Sequence, residues 1–149
     1  MSDLEQLRKL SRADHGFTVV CTTRANGSIQ SSLVTSGVMD HPASGEPMVA
    51  FVARGATRKL ANLRRRPRAT IVYRAGRDWL AVEGAAELAG PDDPASWVSA
   101  DGIPQLLRDV FVAAGGTHDN WPEYDRIMAE ERRTAVFVKI ERQYGVVRS

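Results

Sequence analysis

Two stretches rich in β-forming residues, Phe17–Arg24 (FTVVCTTR) and roughly Ile29–Met39, flank the dipeptide Asn26-Gly27, and this pairing constrains the chain more than any other feature. A type I′ turn needs positive φ at both central residues, which Asn and Gly supply at little steric cost, and strands joined so closely run antiparallel. A second hairpin follows the same logic, with Arg68–Arg74 (RATIVYR) and Asp78–Leu88 (DWLAVEGAAEL) around Ala75-Gly76. Met48–Arg54 (MVAFVAR) follows a loop at Asp40–Glu46, and Thr134–Arg142 alternates so that Thr134, Val136, Val138 and Ile140 share one face. Six strands in consecutive hairpins predict a small antiparallel β-barrel of the mainly β, α+β class rather than a doubly wound parallel sheet.

Helices fall between these strands. Leu4, Leu7 and Leu10 are spaced three apart within Asp3–Arg12 and predict a short amphipathic helix. Thr57 as N-cap and Pro67 as stop frame a helix over Arg58–Arg66. Two more are expected near Gln105–Ala114 and Pro122–Glu131, after the break at Pro91-Asp92-Asp93-Pro94. With 149 residues, 43% of them hydrophobic, the chain is long enough for one domain over 1–149 with its own core. No segment reaches the ~20 unbroken apolar residues of a membrane span, and the first residues lack the basic-then-apolar layout of a secretory signal. A single cysteine, Cys21, excludes a disulfide within the chain and a multi-cysteine zinc site. A soluble, cytoplasmic protein with no membrane partner is expected.

The net charge of +2 hides a strong asymmetry. Pro47–Arg77 holds no acid but nine cations, whereas residues 78–131 carry twelve acids against only Arg108 and Arg126. One concentrated positive region in a near-neutral chain points to an anionic ligand. Its sharpest constellation is Arg54-Gly55-Ala56-Thr57-Arg58-Lys59-Leu60-Ala61-Asn62-Leu63, where a strand ends, glycine permits a tight turn and a helix begins. The first N–H groups of a helix lack internal partners and the dipole adds positive potential, so a phosphate would be held there by amides, Thr57 and charge-assisted bonds. A solvated basic helix packed through Leu60 and Leu63 fits the same residues. Asn62 favours the site, because its amide can reach a polar ligand group where alanine would be the better helix former.

The remaining candidates carry less. Arg64-Arg65-Arg66 suits a nucleic-acid patch in charge, but interleaved aromatics are missing, and cations near a helix C-terminus also complement its dipole. His15, His41 and His118 are scattered without ligand spacing, so no metal site is expected. Cys21 alternates with Val19 and Phe17 and reads as a small core residue. Trp79 fits either plain core or a flat ring offered to a planar ligand. No Gly-x-Ser-x-Gly elbow, Walker loop or Gly-x-Gly-x-x-Gly run is present. An anion cradle beside a barrel, without a nucleophile, metal or acid–base pair, either only binds something or leaves the reactive chemistry to a cofactor.

The hairpin ending in Asn26-Gly27-Ser28-Ile29-Gln30-Ser31-Ser32, followed by Lys59-x-x-Asn62-Leu63-Arg64-Arg65-x-Pro67-Arg68-Ala69, resembles the split β-barrel flavin and deazaflavin oxidoreductases of the pyridoxamine 5'-phosphate oxidase-like superfamily. Asp78-Trp79, Val82-Glu83-Gly84, His118-x-x-Trp121-x-x-Tyr124-x-x-Met128, Arg132-Arg133 and Tyr144-Gly145 also look like its actinobacterial branch, the B type, which uses the deazaflavin coenzyme F420. The resemblance implies a homodimer with coenzyme at the subunit interface. It places Lys59 and Asn62 on the coenzyme phosphate or tail, with Thr57 and Arg58 beside them. Ser32, Val34, Thr35, Phe51, Val52 and Ala53 would line the tricyclic ring, and Trp79 would stand near it, from the partner subunit. The order Thr57-Arg58-Lys59 departs from the Arg-Ala-Lys of some relatives. The expected activity is hydride transfer between F420 and a small unsaturated or quinone-like substrate. The alternatives are an FMN-dependent oxidase or reductase of the same superfamily and a non-catalytic F420 carrier, with no nucleic-acid partner in any of them.

Overall fold

The computed structural model describes residues 2–148. Helix α1 (Asp3–Ser11) opens with a capping box, the Ser2 hydroxyl accepting from Glu5 N–H while the Glu5 carboxylate accepts from Ser2 N–H. Strands β1 (Phe17–Thr23), β2 (Ile29–Asp40) and β3 (Pro47–Ala53) precede helix α2 (Arg58–Arg65), then come β4 (Arg68–Ala75) and β5 (Asp78–Ala89). A 3₁₀ turn (Ala100–Gly102), α3 (Ile103–Ala113), α4 (Trp121–Glu130), β6 (Thr134–Lys139) and β7 (Arg142–Val146) complete the chain.

All strand pairings are antiparallel, in the order β4-β1-β2-β3-β6-β5, and β4 pairs again with β5 to close a six-stranded barrel. β5 divides its length. Ala86–Ala89 pair with β6, while Trp79–Glu83 pair with the seventh strand, β7, outside the barrel.

That seventh strand corrects the single final strand expected over Thr134–Arg142. The apolar alternation runs on through Ile140, but the chain leaves β6 after Lys139 and re-pairs at Arg142. The break is held by the Glu141 carboxylate, which accepts the Ala85 N–H, and by Gly84. A Cβ on Gly84 would collide with the Lys139 carbonyl, so only glycine allows the chain to cross β5 there. The first hairpin also differs from the expected type I′ turn. Only Gly27 has positive φ, at 86°, and its N–H donates to Arg24 C=O at 2.9 Å. Asn26 acts through its side chain, accepting from Ser28 N–H and Ser28 Oγ at 3.0 and 2.6 Å.

Two cores lie on opposite sides of β3 and β6. The barrel interior takes Val20, Val49, Phe51, Leu60, Leu63, Ile71, Tyr73, Val82 and Val136, with Leu7 of α1 packed against it. The outer layer joins Ala50, Ala135 and Phe137 to Leu106, Leu107 and Val110 of α3 and Tyr124 of α4. β6 is therefore buried on both faces over Thr134–Val138. Strand β1 reverses its expected orientation: Thr18, Val20 and Thr22 face inward, whereas Phe17 and Val19 are exposed and Cys21 is half-buried beside them. The inward threonines are satisfied by hydrogen bonds. Thr18 Oγ1 donates to Gly16 C=O at 2.8 Å, so Ser36 Oγ donates to Thr18 at 2.8 Å and Tyr73 to Ser36 at 2.6 Å. Among the described residues no helix is long and apolar enough to cross a membrane.

Candidate functional site

β3 ends at Ala53, and Arg54–Thr57 turn the chain into α2. Thr57 has the extended backbone of an N-cap, φ −83° and ψ 153°, but its hydroxyl donates to Arg54 C=O at 2.9 Å and caps nothing. The opening N–H groups of α2 are left without a side-chain acceptor, at the positive end of the helix dipole.

The turn after α4 docks on this corner. Gly55 N–H donates to Glu131 C=O at 3.0 Å, and the Glu131 carboxylate bridges two arginines, taking Arg54 Nη2 at 2.5 Å and Arg133 Nε at 2.8 Å. The bond from Arg133, followed by that from Arg54, holds this carboxyl below the usual range. The Lys59 ammonium has no hydrogen bond or ion pair among the described residues. Burial, followed by repulsion from Arg133, lowers its pKa from 10.5.

Arg54, Lys59 and Arg133 line a cavity of about 410 Å³, a volume that suits a small-molecule cofactor. Val34, Val52 and Ala53 form its strand wall, and Val110, Phe111 and Met128 its helical wall. Thr35, Thr57 and Tyr124 add polar edges, and Leu33, 66% exposed, stands at the rim. The helical wall is braced by a fork–fork pair, Arg108 Nε and Nη2 to the Asp125 carboxylate at 2.9 and 2.5 Å, with the Arg108 guanidinium 5.2 Å from the Trp121 ring centre. Tyr124 donates its hydroxyl to Leu107 C=O at 3.2 Å, and burial pushes its pKa up to about 12. The cavity thus joins apolar walls to a cluster of cations, which suits a ligand with an apolar body and an anionic group.

Of the residues expected at the site, Val34, Thr35, Val52, Ala53, Thr57 and Lys59 line this one cavity. Five others do not. Phe51 is fully buried in the barrel core, and Ser32, whose buried Oγ lacks a hydrogen-bond partner, lies outside the lining. Asn62, 4% exposed, turns inward and donates its amide to Thr22 Oγ1 at 3.0 Å, so it serves the barrel rather than the cradle. Arg58 borders a different concavity, across α2. Trp79 stands on the outer barrel face, edge-on to Tyr144 at 6.2 Å. Arg133, Phe111, Tyr124 and Met128 were not expected as lining. Tyr124 and Met128 share one face of α4 by their i, i+4 spacing, and with Arg133 they belong to the motifs that carry the family resemblance, the signals that the sequence offered. Among the described residues no three His, Cys, Asp or Glu side chains converge as metal ligands.

No protein-family model matches the chain. Solved structures do match. The conserved hypothetical protein Rv2991 from Mycobacterium tuberculosis aligns with a TM-score of 0.68 at 19% identity, over 97% of this chain and 84% of that one. An F420 reductase aligns with a TM-score of 0.62 at 14% identity, over 97% and 98%. A pyridoxamine 5'-phosphate oxidase-related, FMN-binding protein from Nostoc punctiforme aligns with a TM-score of 0.60 at 12% identity, over 91% and 76%. At such identities the likeness speaks for architecture alone, and the chain has the antiparallel split β-barrel fold of the pyridoxamine 5'-phosphate oxidase-like proteins.

Proposed function

We propose that this protein is an F420-dependent oxidoreductase, transferring a hydride between the deazaflavin and a small unsaturated or quinone-like substrate. The carrying observation is Lys59, a half-buried ammonium without a protein partner, set beside the uncapped start of α2 in the cation cluster of an apolar-walled cavity. When bound, the coenzyme supplies the hydride chemistry, and the protein binds, orients and excludes water. Lys59 and the first amides of α2 would hold the phosphate. Arg54 and Arg133, kept in place by Glu131, would add positive potential. Val34, Val52, Ala53 and Phe111 would flank the ring system. Tyr124, whose hydroxyl is already committed to Leu107, would serve as wall rather than proton donor.

The reading includes a homodimer. Leu33, Val19, Val72, Ala81 and Tyr144 lie opposite one another in successive strands of β2, β1, β4, β5 and β7. Leu33, Val19 and Tyr144 on this row are exposed, as are Phe17, Trp79 and Val146 nearby. So broad an exposed apolar face suits a second copy of the chain. Because Leu33 belongs both to this face and to the cavity rim, that copy would finish the coenzyme site.

FMN is the second reading, favoured by the FMN-binding structural relative and by a cradle that suits any single phosphate. Equilibrium titration with F420, FMN and FAD, followed by fluorescence, tests both. Tight F420 binding with protein-accelerated oxidation of its reduced form by a quinone supports the first reading. Yellow protein that retains FMN through dialysis supports the second, and failure to bind any of the three removes both.

A further inference from the structure

The arginines of this chain differ in what they meet, and Arg8 and Arg68 lie at 3.8 and 3.5 Å from Asp40 and Glu141. Arg54, Arg64, Arg108, Arg126, Arg132 and Arg133 each meet a carboxylate at 2.5–2.8 Å. Four others, Arg24, Arg58, Arg65 and Arg66, meet none, and all four line one concavity of about 400 Å³ together with Ala25, Ala61 and Asn62. No acid contributes to its lining.

Helical spacing explains the gathering. Arg58, Ala61, Asn62 and Arg65 stand at i, i+3, i+4 and i+7 of α2, so they share one face, and none of them lines the cavity that holds Thr57 and Lys59. The loop between β1 and β2 brings Arg24 to the same place. Two of the guanidiniums are fixed without being neutralised. Arg24 Nη1 donates to Ile29 C=O at 2.8 Å, and Arg66 Nε donates to Thr23 C=O at 2.8 Å. Carbonyls orient a guanidinium but cancel none of its charge, and each fork keeps further N–H donors for another acceptor. The Arg58 and Arg65 side chains make no hydrogen bond or ion pair among the described residues. The triple-arginine run is therefore not a uniform solvated face. Arg64 is spent on Asp93 through two bonds at 2.9 and 2.8 Å, while its two neighbours turn to the concavity.

Four uncompensated cations around one hollow repel each other, and an anion with several charges relieves that repulsion while taking bidentate bonds from the forks. We propose that this concavity is a second anion site, distinct from the coenzyme cavity across α2, which takes a compact multivalent anion of the polyphosphate or polycarboxylate class. Its lining holds no aromatic ring for base stacking, which favours a small anion over a nucleic-acid strand. The inference does not depend on which coenzyme fills the first cavity.

Calorimetric titration of the full chain with sodium tripolyphosphate, at ionic strength held constant with sodium chloride, tests it. Saturable binding at one site per chain is expected, weakened at least tenfold by Arg65→Ala and by Arg24→Ala and unchanged by Lys59→Ala. Both arginines are exposed, so these variants should fold, and Arg65→Lys, which keeps the charge but loses the fork, should fall between wild type and Arg65→Ala. Binding should persist with the first cavity saturated by F420 or FMN. The proposal is overturned by heat that merely follows ionic strength, by loss of binding in Lys59→Ala, by indifference to both arginine variants, or by displacement when either coenzyme is added.

Discussion

Asn62 donates its side-chain amide to Thr22 Oγ1 across 3.0 Å, linking α2 to the inner face of β1, and Thr22 in turn donates to Gln30 Oε1 at 3.1 Å. All of this occurs where Asn62 is 4% and Thr22 1% exposed, so removing the amide leaves a buried hydroxyl with an unmet acceptor. Asn62→Ala should therefore destabilise the fold by about 1–3 kcal/mol. Urea denaturation measures this directly. The same variant should keep most of its coenzyme affinity, because the amide does not line the cavity.

Lys59 should behave in the opposite way, with little effect on folding and a large one on binding. Lys59→Ala should weaken coenzyme binding by about 1–3 kcal/mol, the usual value of a hydrogen bond to a charged group. The binding should also carry a pH signature. Burial, then Arg133, lowers the Lys59 pKa below 10.5, and the cavity's other facing groups are Arg54, Arg133, the Glu131 carboxylate and Tyr124, which titrates only at about 12. Affinity for an anion should fall as the pH rises through that lowered value, ahead of 10.5. Without ligand the sign reverses: between the lowered value and 10.5 the unfolded chain binds the extra proton, so Lys59's share of stability rises with pH. Affinity measured across alkaline pH in wild type and Lys59→Arg separates these effects, since the arginine variant should give a flat profile.

How far the sequence carried the fold shows in β1. Both hairpins, the helices and the barrel closure follow from turn chemistry and β-forming runs. Yet Phe17, Val19 and Cys21 make the more apolar face of β1, and that face points outward. The threonine face wins the interior because partners from β2, β4 and α2 satisfy its hydroxyls, and such partners become adjacent only after the barrel closes. Asn62 misleads for the same reason: a polar residue inside a helix signals a partner without saying whether it is a ligand or another strand. The Thr57–Lys59 corner was readable because it depends on local backbone direction, whereas Arg133 reaches it only through the Glu131 bridge.

Gly84 marks the point where β5 exchanges β6 for β7. A Cβ there would collide with the Lys139 carbonyl, which is backbone and has no flexible end to give way, and would approach Glu141 Oε2 to 3.1 Å. Gly84→Ala should cost about 1–3 kcal/mol, the range for overpacking a closed site. Thermal melts should show that loss, and Gly76→Ala provides the contrast: its Cβ would meet nothing within 4 Å, although φ is +63°. Any loss there reports backbone strain alone.

The apolar row across the barrel's outer face yields the last prediction. Val19 lies opposite Leu33 on one side and Val72 on the other, with Ala81 and Tyr144 continuing the line. Val19 is 40% exposed, so a charge placed there costs the isolated chain little, but buried between two copies it would be desolvated without a partner. Val19→Glu should convert a dimer to monomer in sedimentation equilibrium while the circular dichroism spectrum stays that of the wild type. If the coenzyme cavity is completed across this face at Leu33, the same variant should lose coenzyme affinity although Val19 itself lines no part of the cavity. A wild-type chain that sediments as a monomer at micromolar concentration, or a Val19→Glu dimer with undiminished affinity, would exclude this face as the interface and leave the cavity to bind its coenzyme within a single chain.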